Sequence, residues 1–321
     1  MHRFITMLLL LGMCFIFAPT TVGAAAFPQK PIQVIVSWPP GGTDTTIRIF
    51  SDAVRDLLPQ PLVVSNVTGA GGMNGMTQAV RARPDGYTMF WEHPANLAAS
   101  PYALNADFRW TDFDIICAAA MSDTALVVPS SSPFKTAKEA FDYIKANPGK
   151  VRWTAAINAT SHFHFLDIQE KAGGKLDVIL VPGAGEQTRI VALLGGQSDI
   201  TTISYAGIDA YVRSGDLRVL AMLNPERSPF APDVPTMREE GFDVIYDFLY
   251  TALVPKGTPE SVQKILADAF EKAVADPAVE ERLRTASAIP IFLNREEATK
   301  RWAVEAAKYE RLIDNLRRST K

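Results

Sequence analysis

The segment Pro31-Ile32-Gln33-Val34-Ile35-Val36-Ser37-Trp38-Pro39-Pro40-Gly41-Gly42-Thr43-Asp44 reads as a strand, a turn and the start of a helix. Ile32–Val36 is a short, β-branched apolar run of strand length. Pro39 and Pro40 end it, because proline has no N–H to give to a sheet. Gly41 and Gly42 let the backbone approach a neighbour closely. Thr43 or Asp44 is the expected cap of the helix that follows over 46–58. A helix start offers N–H donors and the positive end of the helix dipole, so this turn is a candidate anion site. No lysine follows the glycines, which excludes a Walker phosphate loop.

Outward from this turn the same alternation recurs. Strands at 62–67 and 87–91 flank a helix over 74–83, so the chain opens βαβαβ, the rhythm of a parallel sheet with helices on its faces. A second series follows, with strands at 125–128, 151–155, 178–181, 200–203 and 217–223. Its helices are Ala137–Ala146, 161–171 and Glu186–Leu194. A strand-like run at 246–254 then precedes helices at 259–275, Pro277–Thr285 and 296–316. The expected fold class is α/β in two lobes, with crossings near 129–133 and 243–246. Residues 27–128 plus 247–321 form one lobe, and 129–246 the other. A cleft between such lobes is a natural ligand site.

The first 26 residues read as an address. Arg3, an apolar run over 4–17 and Ala24-Ala25-Ala26 make the three parts of a cleaved signal peptide. The run is shorter than the ~20 residues that span a bilayer. Met13 before Cys14 argues against a lipid anchor. Cleavage leaves Cys117 as the single cysteine, so the exported protein has no internal disulfide. That suits a periplasmic protein whose core needs no staple. With 32 Lys and Arg against 35 Asp and Glu, the net charge of −3 gives no basic footprint for nucleic acid.

Two further turns repeat the logic of the first. Ala156-Ile157-Asn158-Ala159-Thr160-Ser161 leads into a helix with Thr160 or Ser161 as its expected cap. Pro182-Gly183-Ala184-Gly185-Glu186-Gln187-Thr188 also ends at a helix start. Turns on opposite lobes can grip one carboxylate between them. Other chemistry finds little support. Gly69-Ala70-Gly71-Gly72-Met73-Asn74-Gly75 fits the G-x-G-x-x-G fingerprint poorly, and no cofactor is expected. His162 and His164 stand two residues apart on a helix and face different sides, so with His93 they make no expected metal site. His162 is instead a candidate neighbour of a ligand carboxylate. Ser161 beside His162 is not a nucleophile–base pair, and no G-x-S-x-G elbow occurs. Asp44, Glu92 and Glu186 read as capping or surface carboxylates. The reading is a non-catalytic receptor. An exported hydrolase using the same cleft and an adaptor without a ligand are the alternatives.

With these turns in place, the chain resembles the periplasmic solute receptors of the tripartite tricarboxylate transporter system, the Bug receptors. The resemblance rests on an ordered set of segments. They are Pro31-Ile32 through Gly42, Asn66 through Gly72, Pro84-Asp85-Gly86-Tyr87-Thr88, and Ala146 through Lys150. Asn158 through Ser161, Leu193 through Gln197, Arg227-Ser228-Pro229 with Pro232 through Thr236, and Pro255-x-Gly257-Thr258-Pro259 complete it. It implies a two-lobed, type II-like venus-flytrap fold that closes on a small carboxylated ligand and delivers it to a tripartite membrane permease or a sensor. It places Trp38, Pro40, Gly41, Gly42, Asp44, Asn158, Ala159, Thr160 and Ser161 at the ligand, with Thr43 in the same turn. Ala184, Gly185 and Ser204 line the cleft by motif alignment. Trp38 stands where phenylalanine is common, and Gly183-Ala184 replaces the usual Tyr-Lys, so ligand identity does not carry over. A di- or tricarboxylate, an aromatic acid stacked on Trp38, or an amino acid whose ammonium meets Glu92 or Glu186 all remain open.

Overall fold

The computed structural model describes residues 27–319; the expected leader and Cys14 lie outside them. The chain begins with β1 (Ile32–Val36), α1 (Gly42–Ala53), β2 (Leu62–Asn66), α2 (Met73–Val80) and β3 (Thr88–Glu92). Two short turns of helix, α3 (Pro94–Leu97) and α4 (Ser100–Ala103), lead to β4 (Phe113–Pro129), a strand of 17 residues. Next come α5 (Ala137–Ala146), β5 (Arg152–Ala155), α6 (Thr160–Lys171), β6 (Ile179–Pro182) and α7 (Glu186–Leu194). They are followed by β7 (Thr201–Ser204), α8 (Tyr205–Arg213) and β8 (Leu217–Met222). The chain ends with β9 (Asp247–Pro255), α9 (Glu260–Val274), α10 (Pro277–Thr285), β10 (Ile289–Leu293) and α11 (Arg295–Ser319).

β4 joins the two lobes. Its first part pairs antiparallel with β9 from Phe113↔Pro255 to Asp123↔Asp247, and β10 lies on its other side. β9 continues to β3, β1 and β2, so the first lobe is the sheet β10-β4-β9-β3-β1-β2. From Thr124 onward the partners of β4 change to β7 and β8. A bridge between Trp153 and Ile200 links β7 to β5 and β6, which completes the sheet of the second lobe. The change of partners therefore falls inside a strand, at Asp123–Thr124, ahead of the turn at 129–133. The sheet is also not parallel throughout, as the rhythm implied. β1, β2 and β3 pair in parallel, but β4 and β9 run against their neighbours.

Local chemistry accounts for these elements. β1 is fully buried at Ile32, Val34, Ile35 and Val36, as expected for a strand covered on both faces. Trp91 stacks on Tyr250 and Phe270 at centroid distances of 6.3 and 5.8 Å, packing β3 and β9 under α9. In the second lobe Trp153, Phe163, Tyr246 and Tyr309 fill the core. Pro277 opens α10, and the Asp276 carboxylate accepts from Ala278 N–H at 2.8 Å. Cys117 is buried in β4 as a free thiol. Among the described residues, no helix is long and apolar enough to cross a membrane.

Candidate functional site

One cleft of about 590 Å³, part of it open to solvent, lies between the lobes. Trp38, Pro39, Pro40, Gly41, Gly42 and Thr43 form its first wall, with His93 and Phe248 beside them. Ala156, Thr160, Ser161, His164 and Thr202 face them from the second lobe, together with Gly185, Glu186, Gln187 and Arg189. The starts of α1, α6 and α7 thus converge on one space, each with the positive end of its dipole toward it.

The first wall is held from behind. The Asn66 amide donates to the Trp38 carbonyl at 2.8 Å and to Asp44 Oδ1 at 3.0 Å. Asp44 Oδ2 accepts from Arg48 Nε at 2.8 Å. Asp44 is therefore buried in the support of the turn and does not line the cleft. Neither Thr43 nor Asp44 caps α1; Gly41 is the cap residue, and the helix starts at Gly42, four residues earlier than expected. The turn leaves the Gly42 and Thr43 N–H groups without an acceptor among the described residues. Gly42 is tightly packed here. A Cβ would stand 3.0 Å from Tyr250 Oη and 3.2 Å from Ser204 Oγ.

The second wall differs from expectation in the same way. Ala159, not Thr160 or Ser161, is the cap residue of α6, and no side chain caps it. The Ser161 hydroxyl accepts from Ala156 N–H at 2.9 Å and so closes the turn. The Thr160 hydroxyl is buried and has no partner. Asn158, at φ 58°, donates its N–H to His162 Nδ1 at 3.3 Å. This contact engages both residues, and neither lines the cleft; nor does the fully buried Ala159.

At α7, Gly185 is the cap residue at φ 81°. Glu186 Oε1 accepts from Ser204 N–H at 3.3 Å, and Ser204 Oγ in turn accepts from Gly207 N–H at 3.3 Å, capping α8. Ser204 is thus a helix cap, and Ala184 is exposed; both stand outside the lining. Glu92, also expected at the ligand, is fully buried behind the cleft. It accepts from His93 N–H at 3.0 Å and the Asn96 amide at 3.1 Å. Burial pushes its carboxyl up to about 7 against these bonds. Burial pulls the neighbouring His93 imidazole down to about 3, so the 3.3 Å contact of its Nε2 with Glu92 involves a neutral ring and is not an ion pair.

Four groups that the sequence reading did not place at the site do most to define it. Arg189 is 5% exposed. Its Nη1 donates to the Gly183 and Gly185 carbonyls at 3.4 and 3.1 Å, and its Nε has no partner. Burial pulls its guanidinium below the usual value, and Glu186 opposes that shift. His164 is 1% exposed with both ring nitrogens unpartnered, and burial holds it neutral. The Thr202 hydroxyl is likewise buried without a partner. Phe248 separates His93 from His164, with ring centroids 4.8 and 6.2 Å away. A signal for Arg189 was available: it shares the buried face of α7 with Ile190 and Leu193, where a cation is unexpected. Among the described residues, no three His, Cys, Asp or Glu side chains gather as a metal site.

Buried donors and neutral imidazoles around a narrow cleft suit an anionic or polar solute. The sequence comparison decides the family. The model of the tripartite tricarboxylate transporter family receptors (TctC) matches residues 46–317. The chain belongs to this receptor family. A Cupriavidus necator protein, the UPF0065 protein in the gbd 5' region, is 33% identical, with 92% of this chain and 90% of that protein covered. Protein BugT of Bordetella pertussis is 30% identical, with 88% and 90% covered. The periplasmic binding protein BugD superposes with a TM-score of 0.82 at 27% identity, covering 90% of this chain and 98% of BugD. MatC of Rhodopseudomonas palustris, solved with bound malate, superposes with a TM-score of 0.81 at 25% identity, covering 89% and 100%. This TctC receptor thus has the two-lobed fold of the periplasmic binding proteins and the role of a solute-binding receptor.

Proposed function

We propose that this TctC receptor works in the periplasm after cleavage near residue 26, and captures a small solute by a carboxylate group. It then hands the solute to a tripartite-type membrane permease or a sensor. The carrying observation is the convergence of three helix starts and the buried Arg189 on one cleft whose lining donors lack partners. In this reading the N–H groups of Gly42, Thr43, Thr160 and Ser161 and the Thr160 hydroxyl hold the first carboxylate. Trp38, Pro40, Gly41 and Gly185 shape the mouth. Asp44, Asn158, Ala159, His162 and Ser204 position these turns. The lobes move about crossings at Asp123–Thr124 and Tyr246–Asp247. Malate in MatC supports the carboxylate class.

The test uses residues 27–321, unfolded and refolded to strip any carried solute, in a thermal-shift screen. The panel is mono-, di- and tricarboxylates, aromatic acids, amino acids, and amides lacking any carboxylate. Ligand at 100 times its Kd adds about 2.7 kcal/mol of stability. A concentration-dependent rise for carboxylates but not amides is expected. Equal shifts with amides, or no shift with any acid, overturn the reading. A mass change in the bound acid favours a hydrolase.

A further inference from the structure

We propose that Arg189 is the specificity-determining residue of this cleft, reading a second anionic group so that the receptor selects diacids over their singly charged counterparts. The inference rests on the carboxylate reading above and deepens it. Arg189 lies one turn inside α7, on its buried face, and reaches the cleft with an unpartnered Nε. Among the described residues, no carboxylate pairs with it within ion-pair distance. Glu186, the nearest acid on the same wall, spends one oxygen on Ser204 N–H. A buried, unpaired cation is costly unless something anionic answers it. Glu186 answers it only from beyond ion-pair distance, so the close counter-charge comes with the ligand.

The neighbours of Arg189 fit that role. His164 and Thr202 line the same wall, each with buried polar atoms left unpaired. A carboxylate has more acceptor sites than one guanidinium fills, and a neutral imidazole and a hydroxyl can each donate one more bond. Arg189 comes from α7, Thr202 from β7 and His164 from the second turn of α6, whereas the donors to the first carboxylate come from the first turns of α1 and α6; one ligand must reach both. The Gly183 and Gly185 carbonyls hold the guanidinium in place through Nη1, as a positioned reader requires.

The probes are matched pairs: succinate with succinamate, glutarate with glutaramate, and adipate with adipamate. Each pair differs by one charge at constant length. Calorimetry gives Kd values for wild type, Arg189→Gln and Arg189→Lys, with melting temperatures recorded alongside. Charge-assisted hydrogen bonds of this kind give discrimination on the order of 10- to 100-fold. Wild type is expected to prefer at least one diacid over its monoamide by that factor. Arg189→Gln should reduce the ratio to within about threefold, and Arg189→Lys should fall between, because an ammonium supplies the charge without the fork. A wild-type ratio near one overturns the proposal while leaving the receptor reading intact, and needs no variant to fold. Equal weakening of diacid and monoamide in Arg189→Gln also overturns it, since the arginine would then only brace the turn. Failure of every acid to bind wild type overturns this proposal and the receptor reading together.

Discussion

Thr160 and Ser161 are adjacent hydroxyls with different duties. Ser161 accepts from Ala156 N–H and holds its own turn, whereas Thr160 turns a partnerless hydroxyl into the cleft. Thr160→Val is therefore expected to weaken carboxylate binding by about 1 kcal/mol, roughly fivefold, with an unchanged melting temperature. Ser161→Ala strands a buried N–H and is expected to cost about 1–3 kcal/mol of stability. Calorimetry and thermal melts on the two variants check this; a stability loss confined to Thr160→Val would reverse the assignment. Glu92 gives a second prediction. Its carboxyl is pushed from 4.5 up to about 7 by burial, so the folded state holds a proton that the unfolded state releases earlier. Its stabilising contribution is complete below 4.5 and is lost as pH rises through about 7, a total on the order of 3 kcal/mol at 1.36 kcal/mol per unit. His93 runs the other way, losing stability as pH falls from 6.5 toward 3. Comparison with Glu92→Gln isolates the carboxyl, because both proteins keep His93. The stability of wild type relative to the variant should fall between pH 4.5 and 7.5, and a flat difference in urea melts would refute it. At this scale the turns at 38–43 and 160–161 were legible as proline, glycine and hydroxyl patterns. Asp44 and Asn158 were not, because a residue beside a turn and a residue facing a ligand have the same sequence signature.

α11 shows what elements add beyond their own pattern. Its first half docks in the first lobe, where Trp302 is fully buried and donates Nε1–H to Thr251 Oγ1 at 3.0 Å. Its second half enters the other lobe: Tyr309 packs on Phe163 at 5.9 Å, and Arg311 pairs with Glu170 at 2.7 Å. One rigid helix thus belongs to both cores. Trp302→Ala is expected to cost about 3–5 kcal/mol by emptying a buried site. Because Tyr309 shares that helix, both lobes should lose stability together in one urea transition. Near-ultraviolet circular dichroism and tryptophan fluorescence at distinct midpoints would contradict the coupling. The long helix was legible from its periodicity, but its two-lobe docking was not, since periodicity reports a buried face and not its partner. β4 was only partly legible. The sequence reading placed only 125–128 of it in a strand; Ser122-Asp123-Thr124 is a polar triplet, yet all three residues are buried where the strand changes sheets. α8 and β10 escaped for related reasons. Gly207 weakens the one, and Pro290 the other, which sits at a sheet edge where proline is tolerated.

At the scale of the whole molecule, the walls of the cleft nearly touch. A Cβ on Gly41 would lie 3.4 Å from Glu186 Oε2, one on Gly185 would lie 3.7 Å from Pro39 Cδ, and one on Gly71 would lie 4.0 Å from Ala159 Cβ. Each pair joins one lobe to the other with a Cβ just in van der Waals contact, so a side chain longer than a methyl at the rim meets the opposite lobe. If binding selects the closed form, apparent affinity scales with the fraction of molecules able to close. Gly41 is the informative position, because its φ of 173° is extended backbone open to any residue. Gly41→Val should cost about 1 kcal/mol through the poorer cap on α1, a melting shift of a few degrees. Its larger effect should be on closure, where a branched side chain meets the Glu186 carboxylate. A tenfold loss of closed molecules, equivalent to about 1.4 kcal/mol, weakens binding tenfold. Small-angle scattering should then show ligand-induced compaction in wild type and a reduced response in Gly41→Val at equal ligand occupancy. Adding Glu186→Ala removes the opposing group and should restore part of both affinity and compaction. Wild-type affinity and compaction in Gly41→Val would mean that the lobes do not need this contact to close.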